Sequence, residues 1–248
     1  MSALTAETAA DAEARLRVDL AAAYRLVALF GWDDLAFTHI SARIPGPEHH
    51  FLINPYGWMF EEITAGSLVK VGLDGQAIGP NTAMVNPAGF TIHSAVHEAR
   101  EDAGCVIHLH TVAGTAVSSQ EEGLLPLNQT AMLLNGRVAY HDFEGVALDH
   151  DERPRLVADL GERDLMILRN HGTLTVGRTV AQAFTQMYFL ERACAMQVAA
   201  QGGTVRLPAD PVQAVVEQQS QGLGFVADLL VWPALLRKLD RVNPGYAA

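Results

Sequence analysis

The sequence predicts an α/β domain, because stretches of helical period alternate with short β-rich runs and no polar linker separates them. Apolar residues recur from Ala21 to Val198, and 49% of the 248 residues are hydrophobic, enough to fill one continuous core. The expectation is a single domain over 1–248 with its core at about 15–203. The remainder, 204–248, is expected on the surface or against a neighbouring subunit.

Taken in order, Leu16, Leu20, Ala23, Val27 and Phe30 fall at helical spacing, so a helix runs from about Thr5 to Phe30 and stops at Gly31. Phe51-Leu-Ile and the run from Leu68 to Leu73 read as strands, with Asp74-Gly75 supplying turn chemistry. Pro87 suits the first turn of a helix over Ala88 to Arg100, whose Ile92, Ala95 and Val96 share a side. Cys105 to His110, Arg137 to His141 and Asp164 to Arg169 are β-rich. A stripe of Val180, Ala183, Phe184, Met187, Leu190, Cys194 and Val198 predicts a helix over Val180–Ala200, with Thr179 and Gln182 as its capping box. Beyond Gly202-Gly203 only Trp232 to Leu239 regains helical character.

A net charge of −11 with no Lys/Arg cluster argues against nucleic acid and anionic lipid as partners. No segment reaches the roughly 20 apolar residues of a membrane helix, and the N-terminus lacks a secretory pattern. The two cysteines sit in apolar runs and need no oxidising compartment, so a cytoplasmic location is expected.

The chemistry concentrates in histidine. Side chains two apart on a strand share a face, which sets His108 and His110 roughly 6.5–7 Å apart at Cα and lets both reach one ion. Ile107 and Leu109 then point into an apolar layer. His171 precedes Gly172, where the backbone can turn and present a ring into a cleft. Three neutral imidazoles suit Zn2+, Mn2+ or Fe2+ with a position open for substrate.

The chain resembles the class II aldolase/adducin family. The likeness runs through Phe37-Thr-His-Ile-Ser-Ala-Arg, Leu52-Ile-Asn-Pro-Tyr-Gly, Asn86-Pro-Ala-Gly-Phe-Thr-Ile-His, Val106-Ile-His-Leu-His-Thr, Val138-Ala-Tyr-His-Asp-Phe-Glu-Gly and Leu168-Arg-Asn-His-Gly-Thr. The resemblance implies a three-layer α/β/α fold with a mainly antiparallel central sheet, a homotetramer, and zinc on His108, His110 and His171. The sugar-phosphate members carry an acid where this chain has Gly89, and phosphate-gripping hydroxyls before it; here the segment reads Asn86-Pro-Ala-Gly. In these departures the chain is closer to the adducin-like branch. Animal adducins join actin to spectrin through tail regions beyond this domain.

His93, one helical turn after Gly89, is a further candidate ligand, and His97 is expected to face solvent or a subunit contact. His141 and Glu144 lie in a loop after a strand, and His39 and Tyr56 occupy positions where relatives contact substrate, which makes these four the candidates for moving protons. The expected function is a metal-dependent lyase, by aldol cleavage or decarboxylation, acting on a small non-phosphorylated hydroxy- or oxo-carbonyl compound. The alternative is a non-catalytic adducin-like interaction module with a structural ion.

Overall fold

The structure, a computed structural model, describes residues 8–146 and 150–248. Helix α1 (Ala9–Leu29) is capped by Thr8, whose side chain accepts from the Asp11 amide. The expected helical residues 5–7 lie outside the described residues. Strands β1 (His39–Arg43), β2 (Phe51–Ile53) and β3 (Val69–Val71) follow, then α2 (Pro87–Ala99), β4 (Cys105–Leu109), α3 (Val112–Ser118) and α4 (Gln129–Met132). Next come β5 (Val138–His141), α5 (Arg153–Leu160), β6 (Leu165–Leu168), β7 (Gly172–Gly177), α6 (Val180–Ala200), α7 (Asp210–Gln219), α8 (Leu223–Val226) and α9 (Trp232–Val242).

The strands form one sheet in the order β3-β2-β1-β4-β7-β6-β5. Every neighbouring pair is antiparallel except β5 with β6. Alternation along β4 gives the sheet its two faces. Ile107 and Leu109 join the core under α1, α6 and α9, whereas Val106 packs with Ile92 and Val96 of α2 and Leu156 and Leu160 of α5. Helices thus cover both faces, giving the three-layer α/β/α arrangement with a mainly antiparallel sheet.

Sequence periodicity did not mark β1 and β7 as strands. β1 alternates His39 and Ser41 with Ile40 and Ala42, and its polar side faces α2 instead of solvent, so no hydrophilic face announces it. β7 is bounded by glycines and carries two buried threonines, Thr173 and Thr175. The capping box at α6 forms only half: Thr179 accepts from the Gln182 amide, but the Gln182 side chain turns to Asp228, 2.6 Å away. In 204–248, Trp232, Leu239 and Tyr246 are buried in the core beneath α1, and the Trp232 indole donates to Asp19 at 2.9 Å.

Candidate metal centre

The antiparallel register of β4 and β7 sets His108 opposite Leu174 and Leu109 opposite Thr173, which brings the β6–β7 turn over the end of β4. That turn has a specific construction. Asn170 adopts φ +56°, a left-handed conformation asparagine tolerates, and the His171 amide donates to Leu168 O at 3.1 Å. A Cβ on Gly172 would stand 2.5 Å from Leu109 O and 3.1 Å from His110 Cδ2, so only glycine lets the two strands close at this point.

As a result one ring nitrogen from each of His108, His110 and His171 lies within 4.8 Å of the other two. His108 Nδ1 is 3.1 Å from the Thr173 carbonyl, which only accepts, so Nδ1 carries the proton and Nε2 is bare. His110 Nδ1 is 3.0 Å from the Asp34 carboxylate, which likewise leaves Nε2 bare. The two bare Nε2 atoms face each other at 3.0 Å. Two lone pairs at that distance repel unless a positive charge lies between them or one ring is protonated. Burial opposes protonation: it holds His108 well below the usual imidazole range, with the neighbouring rings adding to the effect, and lowers His171 to about 4. The donor set therefore has the chemistry to hold a divalent ion.

The triad opens into a cleft of about 1130 Å3 whose walls include Asp34, Phe37, His39, Tyr56, Ile92, Val112, Phe143 and Val146. No lysine or arginine lines it among the described residues. A smaller surface hollow around Arg100 and Asp164, of about 790 Å3, lies away from the histidines and carries no comparable donor set among the described residues.

Of the other candidates, Tyr56 and His39 line this cleft. His39 is the cross-strand partner of His108, and the two rings stack with centroids 6.2 Å apart. His93 stands apart from the triad: its Nδ1 meets Ser41 Oγ at 2.6 Å, and its ring abuts His39 edge-on. His97 is a correction to the expected exposed position. It is only 1% exposed, one turn further along α2, with Nε2 2.7 Å from Ser41 Oγ and Nδ1 3.0 Å from Ala103 O. Burial is the first cause that lowers His93 strongly and His97 to about 3, so both rings stay neutral. His141 is buried beside Asp159, 2.7 Å away, and Glu144 pairs with Arg155; neither lines the cleft, whereas Phe143 of the same loop does.

Sequence reasoning did not reach Asp34 or Glu191. Asp34 lies in the irregular segment before β1, far from His110 in sequence, and nothing local marks it. Glu191, buried on α6, accepts from the Thr111 hydroxyl, which in turn caps α3 by accepting from the Gly114 amide. The chain leaving His110 is thereby tied to α6.

The family model for the class II aldolase and adducin N-terminal domain matches residues 18–198. The chain belongs to this family. A Caulobacter vibrioides protein provisionally named as a class 2 aldolase is 59% identical over 241 residues, covering 96% of this chain and 93% of that one. Rat alpha-adducin is 47% identical over 189 residues, which span 75% of this chain but 26% of the adducin. The solved L-fuculose 1-phosphate aldolase of Glaciozyma antarctica superposes with a TM-score of 0.85 at 29% identity, covering 98% and 97% of the two chains. The family chain is thus nearer in sequence to adducin than to this sugar-phosphate aldolase. No helix among the described residues is long and apolar enough to cross a membrane.

Proposed function

We propose that the chain is a metal-dependent carbon–carbon lyase that acts by aldol cleavage or decarboxylation on a small non-phosphorylated hydroxy- or oxo-carbonyl compound. The observation that carries this reading is the pair of bare Nε2 atoms at 3.0 Å, completed by His171 and opening onto a cleft. Zn2+ is the expected ion, with Mn2+ or Fe2+ accepted by the same donors. When bound, it supplies a Lewis acid that stabilises the negative charge left on a substrate oxygen when the adjacent carbon–carbon bond breaks.

The protein's own part is to orient. Asp34 and the Thr173 carbonyl lock the tautomers of His110 and His108, so their lone pairs point to one place. Tyr56 and His39 are among the polar groups on the cleft walls beside the substrate, and Phe37, Val112, Phe143 and Val146 supply the apolar part of those walls. With no lysine or arginine on its walls among the described residues, the cleft supports an uncharged tail better than a phosphate. His141 and Glu144 fit a supporting role, anchoring the loop that carries Phe143 through Asp159 and Arg155.

Kinship to adducin supports a second reading, an interaction module with a structural ion. One experiment separates the two: the metal content of protein purified without chelators, followed by X-ray data at the metal edges. About one ion per chain on three histidines with a water-filled position, together with carbon–carbon cleavage of a hydroxy-oxo acid panel that His108→Ala abolishes, is the expected outcome. A metal-free protein, or an ion whose shell is filled by protein alone, overturns the lyase reading. A cytoplasmic homotetramer is the expected form, to be measured by light scattering.

A further inference from the structure

The sheet fixes only one of the three metal histidines. His108 is paired on both sides, with His39 of β1 and Leu174 of β7, whereas His110 lies one residue past β4 and His171 stands in the turn before β7. What holds these two is α3. Thr111, directly after His110, caps that helix: its hydroxyl accepts from the Gly114 amide at 3.1 Å. One turn on, the Thr115 hydroxyl donates to the His171 carbonyl at 3.4 Å, and the Ser118 carbonyl accepts from the Asn170 amide at 3.1 Å. Gly114 faces β7, where a Cβ would lie 3.0 Å from Thr173 Cγ2 and 2.6 Å from Thr111 Oγ1. The carbonyl of that same Thr173 orients His108, so the supports of all three rings meet on one short helix.

A helix of seven residues has little stability of its own, so its position comes from what it packs on. Val117 clusters with Leu190, Ala193 and Cys194 of α6, contacts that hold α3 close without fixing how it slides or turns. The directional contact is the Thr111 hydroxyl donating to Glu191. Glu191 is an expensive residue for that place, because it is buried and burial raises its carboxyl above the ordinary range. An apolar side chain would fill the same space with less desolvation. Resting on the metal reading above, we propose that Glu191 is a positioning residue of the metal centre. Through the Thr111 hydroxyl it sets where α3 begins, and α3 in turn sets His110 and His171 where they share an ion with His108. Gly114 leaves room for this hydrogen bond and for the contact with β7 at once.

The test uses the full chain loaded with Co2+, whose visible bands report its ligands. Affinity is read by chelator competition, and the stability of the metal-free protein by urea unfolding. Glu191→Leu and Thr111→Val remove the hydrogen bond from its two ends at similar volume, whereas Glu191→Gln and Thr111→Ser keep an acceptor and a donor in place. We expect cobalt affinity to fall about 10- to 100-fold in the first two, with the bands shifted, and to stay within about threefold of the parent in the other two. Combining Glu191→Leu with Thr111→Val loses no more than the worse single change, since both act on one bond. Lower urea stability in Glu191→Leu with cobalt affinity and bands unchanged overturns the proposal and leaves the residue a purely structural one. An equal loss in Glu191→Gln and Glu191→Leu also overturns it, because the charge and not the hydrogen bond would then be acting. A parent that takes up no cobalt overturns the metal reading and this proposal together, a result distinct from the other two. Should Glu191→Leu not fold, Glu191→Met replaces it with the same expectations.

Discussion

Replacing Ser41 with alanine should destabilise the protein far more than the loss of one hydroxyl from a surface would. Ser41 is fully buried between His93 and His97, and the direction of each hydrogen bond is determined. Ala103 O can only accept, so His97 Nδ1 carries the proton and His97 Nε2 accepts from the Ser41 hydroxyl. Ser41 Oγ then accepts from His93 Nδ1. Ser41→Ala therefore strands two groups at once, a donor on His93 and an acceptor on His97, each costing about 1–3 kcal/mol when buried. Against this stands the relief of no longer burying the hydroxyl, so the net loss is about 2–4 kcal/mol. In a chain of this size that is a fall in Tm of roughly 5–15 °C. Urea unfolding followed by circular dichroism measures it, with Ser41→Cys as a size-matched control that loses less. A loss below about 0.5 kcal/mol at unchanged m-value would refute the derived bonding directions.

Further outcomes follow from the same geometry. Because burial lowers His97 to about 3 and holds His93 well below its ordinary 6.5, the unfolded chain binds protons that the folded chain cannot. The stability these rings lend is thus fully present above pH 6.5 and is lost as pH falls below it, at up to about 1.4 kcal/mol per pH unit per ring, and His97→Gln should flatten the slope of urea midpoint against pH. Asp34→Asn should weaken zinc binding about 10- to 100-fold in a chelator competition while leaving the metal-free Tm nearly unchanged, since Asp34 is partly exposed and acts through His110. Zinc at a hundred times its Kd should stabilise the parent by about 2.7 kcal/mol and leave His108→Ala unmoved in a thermal shift assay. Gly172→Ala, whose Cβ meets Leu109 O at 2.5 Å, should part β7 from β4, lower stability by about 1–3 kcal/mol and weaken zinc uptake in the same competition assay.

What was legible in the sequence was whatever local pattern controls. The stripe from Val180 to Val198 gave α6 its residues, and the alternation in Cys105 to His110 placed two histidines on one side of a strand and two aliphatic residues on the other. What was not legible depends on pairing across the sheet. His39 becomes a neighbour of His108 only through the register of β1 with β4, and β1 itself lacks a solvent-facing polar side. Asp34 reaches His110 across a gap of 76 residues, and the Thr173 carbonyl is a backbone atom with no sequence signature. His97 looked like an exposed helix residue because the serine that receives it lies on another element.

The placement of the three imidazoles on the central strand β4, just past its end and in the tight turn that enters its neighbour β7, bears on kinetics as well as affinity. Loops that fold around an ion must surrender chain entropy at the moment of capture, whereas here folding has surrendered it already. Loading should consequently be a single bimolecular phase, first order in ion and free of a slow conformational lag, and a chelator should strip the site while the surrounding strands keep their amide protons protected from exchange.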